Sequence, residues 1–301
     1  MSSKLAGRLL MRHHPPHTFP GACPMPDVLF ELVDGVGLIT LNRPESLNAM
    51  GGDLIPLLGE HLERCERDSA VRCVAITGAG RGFCSGGDVR AMQSRNDRAP
   101  AGDDASPDPG ALIATIERMA AELREAHNRT VLRIHTMPKP VVALVNGPAA
   151  GAGFSLALSA DIRIASDRAR FGTAFRNVGL SGDFGGSYFL QRLCGAAIAR
   201  ELYFTGEMFD AARALELRIV NRVVPHDELM TAGLDFCRRL ASGPTASYAR
   251  MKQNLNLAEV GTLQQVLDQE ALLMRISGFT TDHREAVRAF LEKREPTFVG
   301  R

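Results

Sequence analysis

Apolar positions along this chain switch repeatedly between runs suited to strands and spacings suited to helices. Val28–Glu31 and Val36–Leu41 are short apolar or alternating runs around Asp34-Gly35, the pattern of a hairpin. After Asn42-Arg43-Pro44 turns the chain, the stretch 46–68 carries Leu54, Leu57, Leu58 and Leu62 at helical spacing. Val74–Thr77 follows as a buried strand, and 111–136 carries a helical stripe of Leu112, Ile113, Ile116, Met119, Ala120 and Leu123. Val141–Val145 is another apolar, β-branched run, the composition of a strand covered on both faces. Small residues and an apolar segment of helical length come next (149–160), then a strand over 161–165. Helical patterns over 211–219, 225–240, 245–257, 263–277 and 283–294 close the chain. Strands alternating with helices predict an α/β core followed by a helical part.

Two glycine-rich junctions stand out against this pattern. GAGRGFCSGGDV (78–89) follows the first buried strand and opens a helix at Asp88, which can serve as its N-cap. VNGPAAGAGF (145–154) follows the second. The first N–H groups of a helix lack intrahelical partners and lie at the positive end of its dipole, so such a junction can hold negative charge on oxygen. Alternatively Gly151, Ala152 and Gly153 only permit tight packing of helix on strand. Two junctions with converging donors would make an oxyanion hole.

The pair GFCSGGDV and VNGPAAGAGFSLALSADIRIAS, with NRPESLNAM near the start and FLEKREPTFVGR at the end, resembles the crotonase (enoyl-CoA hydratase/isomerase) superfamily from about Val28 to Arg301. The resemblance implies an α/β fold, a crotonase-like spiral of ββα repeats with a C-terminal helical trimerisation region. It divides the chain into a flexible extension (1–26), the core (27–210) and the helical part (211–301). It implies an acyl-CoA substrate, no separate cofactor and no metal, and a homotrimer or a dimer of trimers. By the same resemblance the oxyanion-hole donors are the N–H groups of Gly87 and Ala152. Ser46, Leu47 and Ala49 would line the CoA path, with Ser85, Asp88, Val89 and Gly151 beside it, and Phe290 and Lys293 would reach the CoA of a neighbouring subunit.

The two glutamates of the family's hydratases would fall at Ser155 and Phe175, where neither side chain can serve as acid or base. Asp183, in GLSGDFGGSYFL, falls where single-acid isomerases keep an aspartate, and the surrounding letters resemble most the ring-epoxide isomerases of phenylacetate metabolism. One carboxylate suffices for a 1,3-proton shift, because the group that removes a proton can return it two carbons away. Asp183 can equally be a helix N-cap. The expectation is an enoyl-CoA isomerase using Asp183; the alternatives are a hydratase with atypical acid/base groups and an inactive acyl-CoA-binding paralogue. Phe175, Arg176, Phe184 and Tyr188 suggest a bulky, partly aromatic wall.

Composition removes rival classes. The 301 residues are 45% hydrophobic and 23% charged with a net charge of +1, so there is no electrostatic case for nucleic acid or an anionic membrane, and no apolar run spans a bilayer. Six scattered cysteines without metal-ligand spacing read as reduced thiols in a cytoplasmic protein. The first 26 residues, basic and Pro-rich with no acid among 1–26, read as a flexible extension, an over-long start, or a weak transit signal. Gly153-Phe154-Ser155-Leu156-Ala157 approximates a hydrolase elbow, but no strand ends directly before Ser155. Neither glycine-rich stretch has dinucleotide-binding spacing, and no histidine is marked as a partner for Cys84.

Overall fold

The hairpin forms around Asp34-Gly35: β1 (Val28–Val33) pairs antiparallel with β2 (Val36–Leu41), and the two turn residues take φ of 49° and 80°, the positive values that a two-residue turn of matching twist requires. The structure, a computed structural model, describes residues 25–97 and 109–301. The next helix, α1 (Leu54–Arg67), starts later than its apolar spacing suggests. A 3-10 turn at Pro44–Ser46 and left-handed φ at Leu47 and Asn48 occupy the preceding residues. Leu54, Leu58, Leu62 and Cys65 form its buried stripe. β3 (Cys73–Gly78) is buried along its whole length and runs parallel to β2.

α2 (Val89–Asn96) leaves the first glycine-rich junction, and α3 (Pro109–His127) resumes beyond the undescribed residues. The polar, Pro- and Gly-rich stretch 94–110 is therefore helical at both ends, with most of its length outside the described residues, as are positions 1–24 of the extension. Among the described residues nothing covers the apolar stripe of α3: Leu112, Ile113, Ile116, Met119 and Leu123 are 41–57% exposed. Periodicity identifies a helix but does not supply the surface that covers it. At its end α3 widens into a π turn (Asn128–Leu132), continued by α4 (Arg133–Thr136).

The chain then makes one pattern twice. β4 (Val141–Val145) enters the main sheet, β5 (Ala149–Ala150) joins a second sheet, and α5 (Ala152–Ser159) follows. β6 (Ile162–Ser166), β7 (Arg170–Gly172) and α6 (Gly186–Cys194) repeat that order. After α7 (Ala196–Thr205) come β8 (Phe209–Asp210), α8 (Ala211–Glu216) and β9 (Arg222–Val224). The main sheet has the order β1-β2-β3-β4-β6-β9, the smaller one β5-β7-β8. This is the α/β core that the sequence pattern predicts, with the ββα turns that the resemblance implies, and its last main-sheet strand lies beyond residue 210.

Both faces of the main sheet are covered, as parallel strands require. Against one face, α9 (Leu229–Ala241) packs Leu229, Cys237 and Ala241 on Val36, Leu38, Ala75, Val142 and Leu144. The other face meets α1 and α5 through Leu58, Ile76, Phe83, Phe154 and Phe171. The remaining helices are α10 (Thr245–Ala258), α11 (Leu263–Gly278) and α12 (Thr281–Glu292). Buried Lys252 ties α10 to the core by donating to Ile134 O at 2.8 Å and to Asp161 Oδ2 at 2.9 Å. The tail is held by the buried Asp282 carboxylate, which accepts from Val299 N at 2.7 Å and Gly300 N at 2.9 Å.

The two junctions touch at Gly153. A Cβ added to Gly153, in the first turn of α5, would lie 2.1 Å from the backbone oxygen of Cys84. Gly153→Ala should lower the urea midpoint by the equivalent of about 1–3 kcal/mol, the usual range for overpacking. Gly278→Ala, at the end of α11 with open space around it, is the control and should leave the midpoint unchanged or slightly higher.

Candidate active site

α5 begins where Gly151 takes φ 52° and ψ −126°, a conformation open to glycine, and Ala152 is its first helical residue. The Gly86-Gly87 backbone passes beside that helix start: a Cβ on Gly86 would stand 2.6 Å from Ala150 O and 3.2 Å from Ala152 N. Among the described residues, neither the Gly87 nor the Ala152 N–H has an acceptor within the protein. The two junctions thus bring two free backbone donors to one place.

The loop 46–50 is strapped to the first junction. Ser85 N donates to Leu47 O at 2.9 Å, Ser85 Oγ to Ser46 O at 3.0 Å, and Met50 N to Gly86 O at 2.7 Å. Asn48, fully buried, locks this contact: its Nδ2 donates to Ala79 O at 3.0 Å and Gly82 O at 2.8 Å, and its Oδ1 accepts from Arg43 N at 2.8 Å. Ala49 is buried beside it, whereas Val89 is exposed at the start of α2. Asp88 is the N-cap of that helix, its Oδ1 accepting from Arg90 N at 3.1 Å and Ala91 N at 3.2 Å. At the other end of the chain, Phe290 is 82% exposed and Lys293 is the left-handed C-cap of α12.

Asp183 sits in a strained loop, followed by Phe184 at φ 50° and Gly185 at φ 74°. Its Oδ1 accepts from Phe184 N at 2.7 Å, and His127 Nε2 lies 2.5 Å from the same oxygen. With the carboxylate ionised, the imidazole must be the donor there. Among the described residues Oδ2 has no hydrogen-bond partner. The side chains of Asp183 and His127 are 25% and 30% exposed, and the imidazole stands edge-on to Phe184 at 4.9 Å.

His127 ends α3, a position where solvated or capping histidines are common. The structure gives it a partner 56 residues away. The π turn that follows it is wedged against α1, where a Cβ on Gly59 would meet Arg129 at 3.1 Å. Such a turn changes the phase of a helix and recurs at functional sites.

Ser155 packs against Gly186, three residues after Asp183, and Phe175 packs beside Gly151, which precedes Ala152. Ser155 is buried, with Oγ donating to Gly151 O at 3.2 Å. Phe175 is buried and stacks on Tyr203, ring centroids 6.1 Å apart at 10°. Tyr203, absent from the sequence reading, takes the place expected for Tyr188. Tyr188 instead donates to Glu259 Oε2 at 2.7 Å beneath the Arg192 guanidinium, and Arg176 donates to Thr205 O at 3.1 Å. The wall is therefore Phe175, Phe184 and Tyr203. A cavity of about 540 Å³ lies at the opposite, C-terminal end of α5, lined by residues that include Leu158, His135, Glu259 and Lys252. Burial there lowers the pKa of His135, against the opposing charge of Glu259.

The chain matches a family model described as enoyl-CoA hydratase/isomerase over residues 31–113 and 105–301. It is 40% identical over 274 residues to 1,2-epoxyphenylacetyl-CoA isomerase of Escherichia coli K12, covering 91% of this chain and 98% of the relative. It is 33% identical to short-chain-enoyl-CoA hydratase of Clostridium acetobutylicum, covering 89% and 96%. Among solved structures, an enoyl-CoA hydratase from Polaromonas sp. JS666 superposes with a TM-score of 0.80 at 33% identity, covering 90% and 99%.

Cys84, between the loop 46–50 and the second junction, is fully buried and donates to Asn48 O at 3.0 Å; burial pushes its thiol up to about 12. Burial likewise pushes Cys65 up to about 12. A folded-state pKa raised above the unfolded value means stability that is complete below about pH 9 and declines as pH rises from there toward 12. Each thiol should contribute a decline of about 1.4 kcal/mol per pH unit in that window. Urea midpoints measured from pH 7 to 10.5 should show it, shallower in Cys84→Ala. In the native protein at pH 8, Cys84 should resist alkylation until denaturant is added.

Proposed function

We propose that this chain, which belongs to the enoyl-CoA hydratase/isomerase family, moves a double bond within an unsaturated or cyclic acyl-CoA by a proton shift at Asp183. The observation that carries this reading is the division of labour on one carboxylate. Oδ1 is held by His127 and the Phe184 N–H, while Oδ2 is free. Ser155, packed beside Gly186, and Phe175, packed beside Gly151, offer no second carboxylate.

In this reading the thioester oxygen accepts hydrogen bonds from the N–H groups of Gly87 and Ala152. Ionised Asp183 removes a proton from C2 of a 3-enoyl-CoA, and the electron pair moves onto the thioester oxygen as a dienolate. The free donors favour that oxyanion over the neutral carbonyl. Asp183 then returns the proton at C4, leaving the double bond between C2 and C3. No group is lost and no oxidant is consumed. The epoxide isomerase relative supports extending the substrate class to cyclic and oxygen-bearing acyl groups.

The CoA moiety would run past Ser46, Leu47, Ala49, Ser85, Asp88 and Gly151, with Val89 beside the thioester. Exposed apolar side chains on α11, α12 and the turn between them, among them Leu263, Leu272, Met274, Phe279 and Leu291, support assembly into trimers, in which Phe290 and Lys293 would face the neighbour's CoA. A second reading, hydration of 2-enoyl-CoA, draws on one observation: His127 beside Asp183 is a second titratable group that could hold water.

Incubating 3-enoyl-CoA in deuterated water separates the two readings. Wild type should move the double bond with deuterium entering the product. Asp183→Asn should lose that activity by about 10²–10⁴-fold, the usual contribution of a general acid/base. His127→Gln should lower kcat by about tenfold with KM nearly unchanged, because it disturbs the orientation of Asp183 and not acyl-CoA binding. Water addition to 2-enoyl-CoA, undiminished in Asp183→Asn, would overturn the isomerase assignment.

A further inference from the structure

Among the described residues, Tyr203 Oη is buried without a hydrogen-bond partner. The neighbourhood is well defined. A Cβ on Gly186 would lie 2.6 Å from that oxygen and 2.3 Å from Ser155 Oγ, and a Cβ on Gly182 would lie 3.1 Å from the phenol ring. Glycine at both positions therefore lets the phenol come against the loop that carries Asp183. Phe175 fixes the ring by stacking, and the Ser155 hydroxyl turns away to Gly151 O. Burial and the nearby Asp183 charge push the phenol up to about 12, so it keeps its proton across neutral pH. A phenylalanine would keep the stack and avoid the desolvation penalty of an unpaired hydroxyl. An orphaned buried donor of this kind calls for a partner that arrives with a ligand.

We propose that the Tyr203 hydroxyl donates a hydrogen bond to an oxygen on the acyl group, and so selects oxygen-bearing acyl-CoA substrates over hydrocarbon ones. Epoxides, cyclic ethers and hydroxylated acyl groups share the acceptor that this donor needs. The thioester oxygen is the partner of the Gly87 and Ala152 donors, so the acceptor at Tyr203 is a second oxygen near the carbons that Asp183 serves. The assignment rests on the isomerase reading for the position of those carbons. Tyr203 acts on specificity and takes no proton.

The test uses two unreactive ligands of one shape, cyclopentylacetyl-CoA and (tetrahydrofuran-3-yl)acetyl-CoA, titrated calorimetrically into wild type and Tyr203→Phe. Wild type should prefer the ether, and Tyr203→Phe should reduce that preference by roughly fivefold to tenfold, the size of one neutral hydrogen bond. Affinity for the carbocycle should stay within about twofold, and the free variant should melt at or above the wild-type temperature because its orphan is gone. An unchanged ether preference overturns the proposal. So does a variant melting several degrees lower, since the hydroxyl would then have a structural partner. Binding needs no turnover, so loss of the isomerase reading in the deuterium experiment leaves this ratio readable in its own right.

Discussion

The approach of two backbone segments, closer than any side chain allows, is the constraint on which the rest of the molecule depends. β3 and β4 are parallel neighbours, so both chains leave the sheet at the same edge, where ligands of parallel sheets are commonly met. Beyond that edge, Phe83 N and Cys84 N both donate to Pro148 O, and Ala150 N donates to Cys84 O. Glycines at 147 and 153 make the contact possible, since a Cβ would stand 2.0 Å from Arg81 O at the first and 2.1 Å from Cys84 O at the second. A single methyl group at either site would part the junctions. The free N–H groups of Gly87 and Ala152 come near each other only because these segments touch.

Around that contact the fold assigns separate tasks to separate elements. Asn48 satisfies carbonyls of the first junction that would otherwise be buried without donors. α5 presents its dipole end and keeps an apolar, fully buried body. The loop before α6 carries Asp183 in a conformation whose positive φ values cost energy. Strain of this kind persists where neighbours over-determine the geometry. Here the neighbours are the Phe184 N–H and the imidazole of His127, both on one oxygen. The carboxylate is thereby oriented while its second oxygen stays open. The phenol of Tyr203 adds a donor that the resting protein does not use.

Local chemistry accounts for what could be read before the structure. The turn at Asp34-Gly35, the strand 141–145, the glycine junctions and the Asp88 cap each follow from residues a few positions apart, since dihedral freedom, β-branching and capping are short-range effects. The resemblance carried by the two junction motifs then placed Asp183. Both the α/β class and the family were legible in this way.

His127, Tyr203 and the uncovered stripe of α3 were not. A histidine at a helix end has the same local signature whether it meets water or a carboxylate 56 residues away, and the phase that decides between them comes from a π turn packed on α1. Tyr203 and Tyr188 are both aromatic residues in apolar helices; which one reaches Asp183 depends on how α6 and α7 lie on α5. The sequence alone determined the elements, their order and the chemistry available at each junction, because those depend on neighbours along the chain. Only the tertiary structure decided which side chains share the space beside Asp183, because that depends on helix phase and packing between segments far apart in sequence.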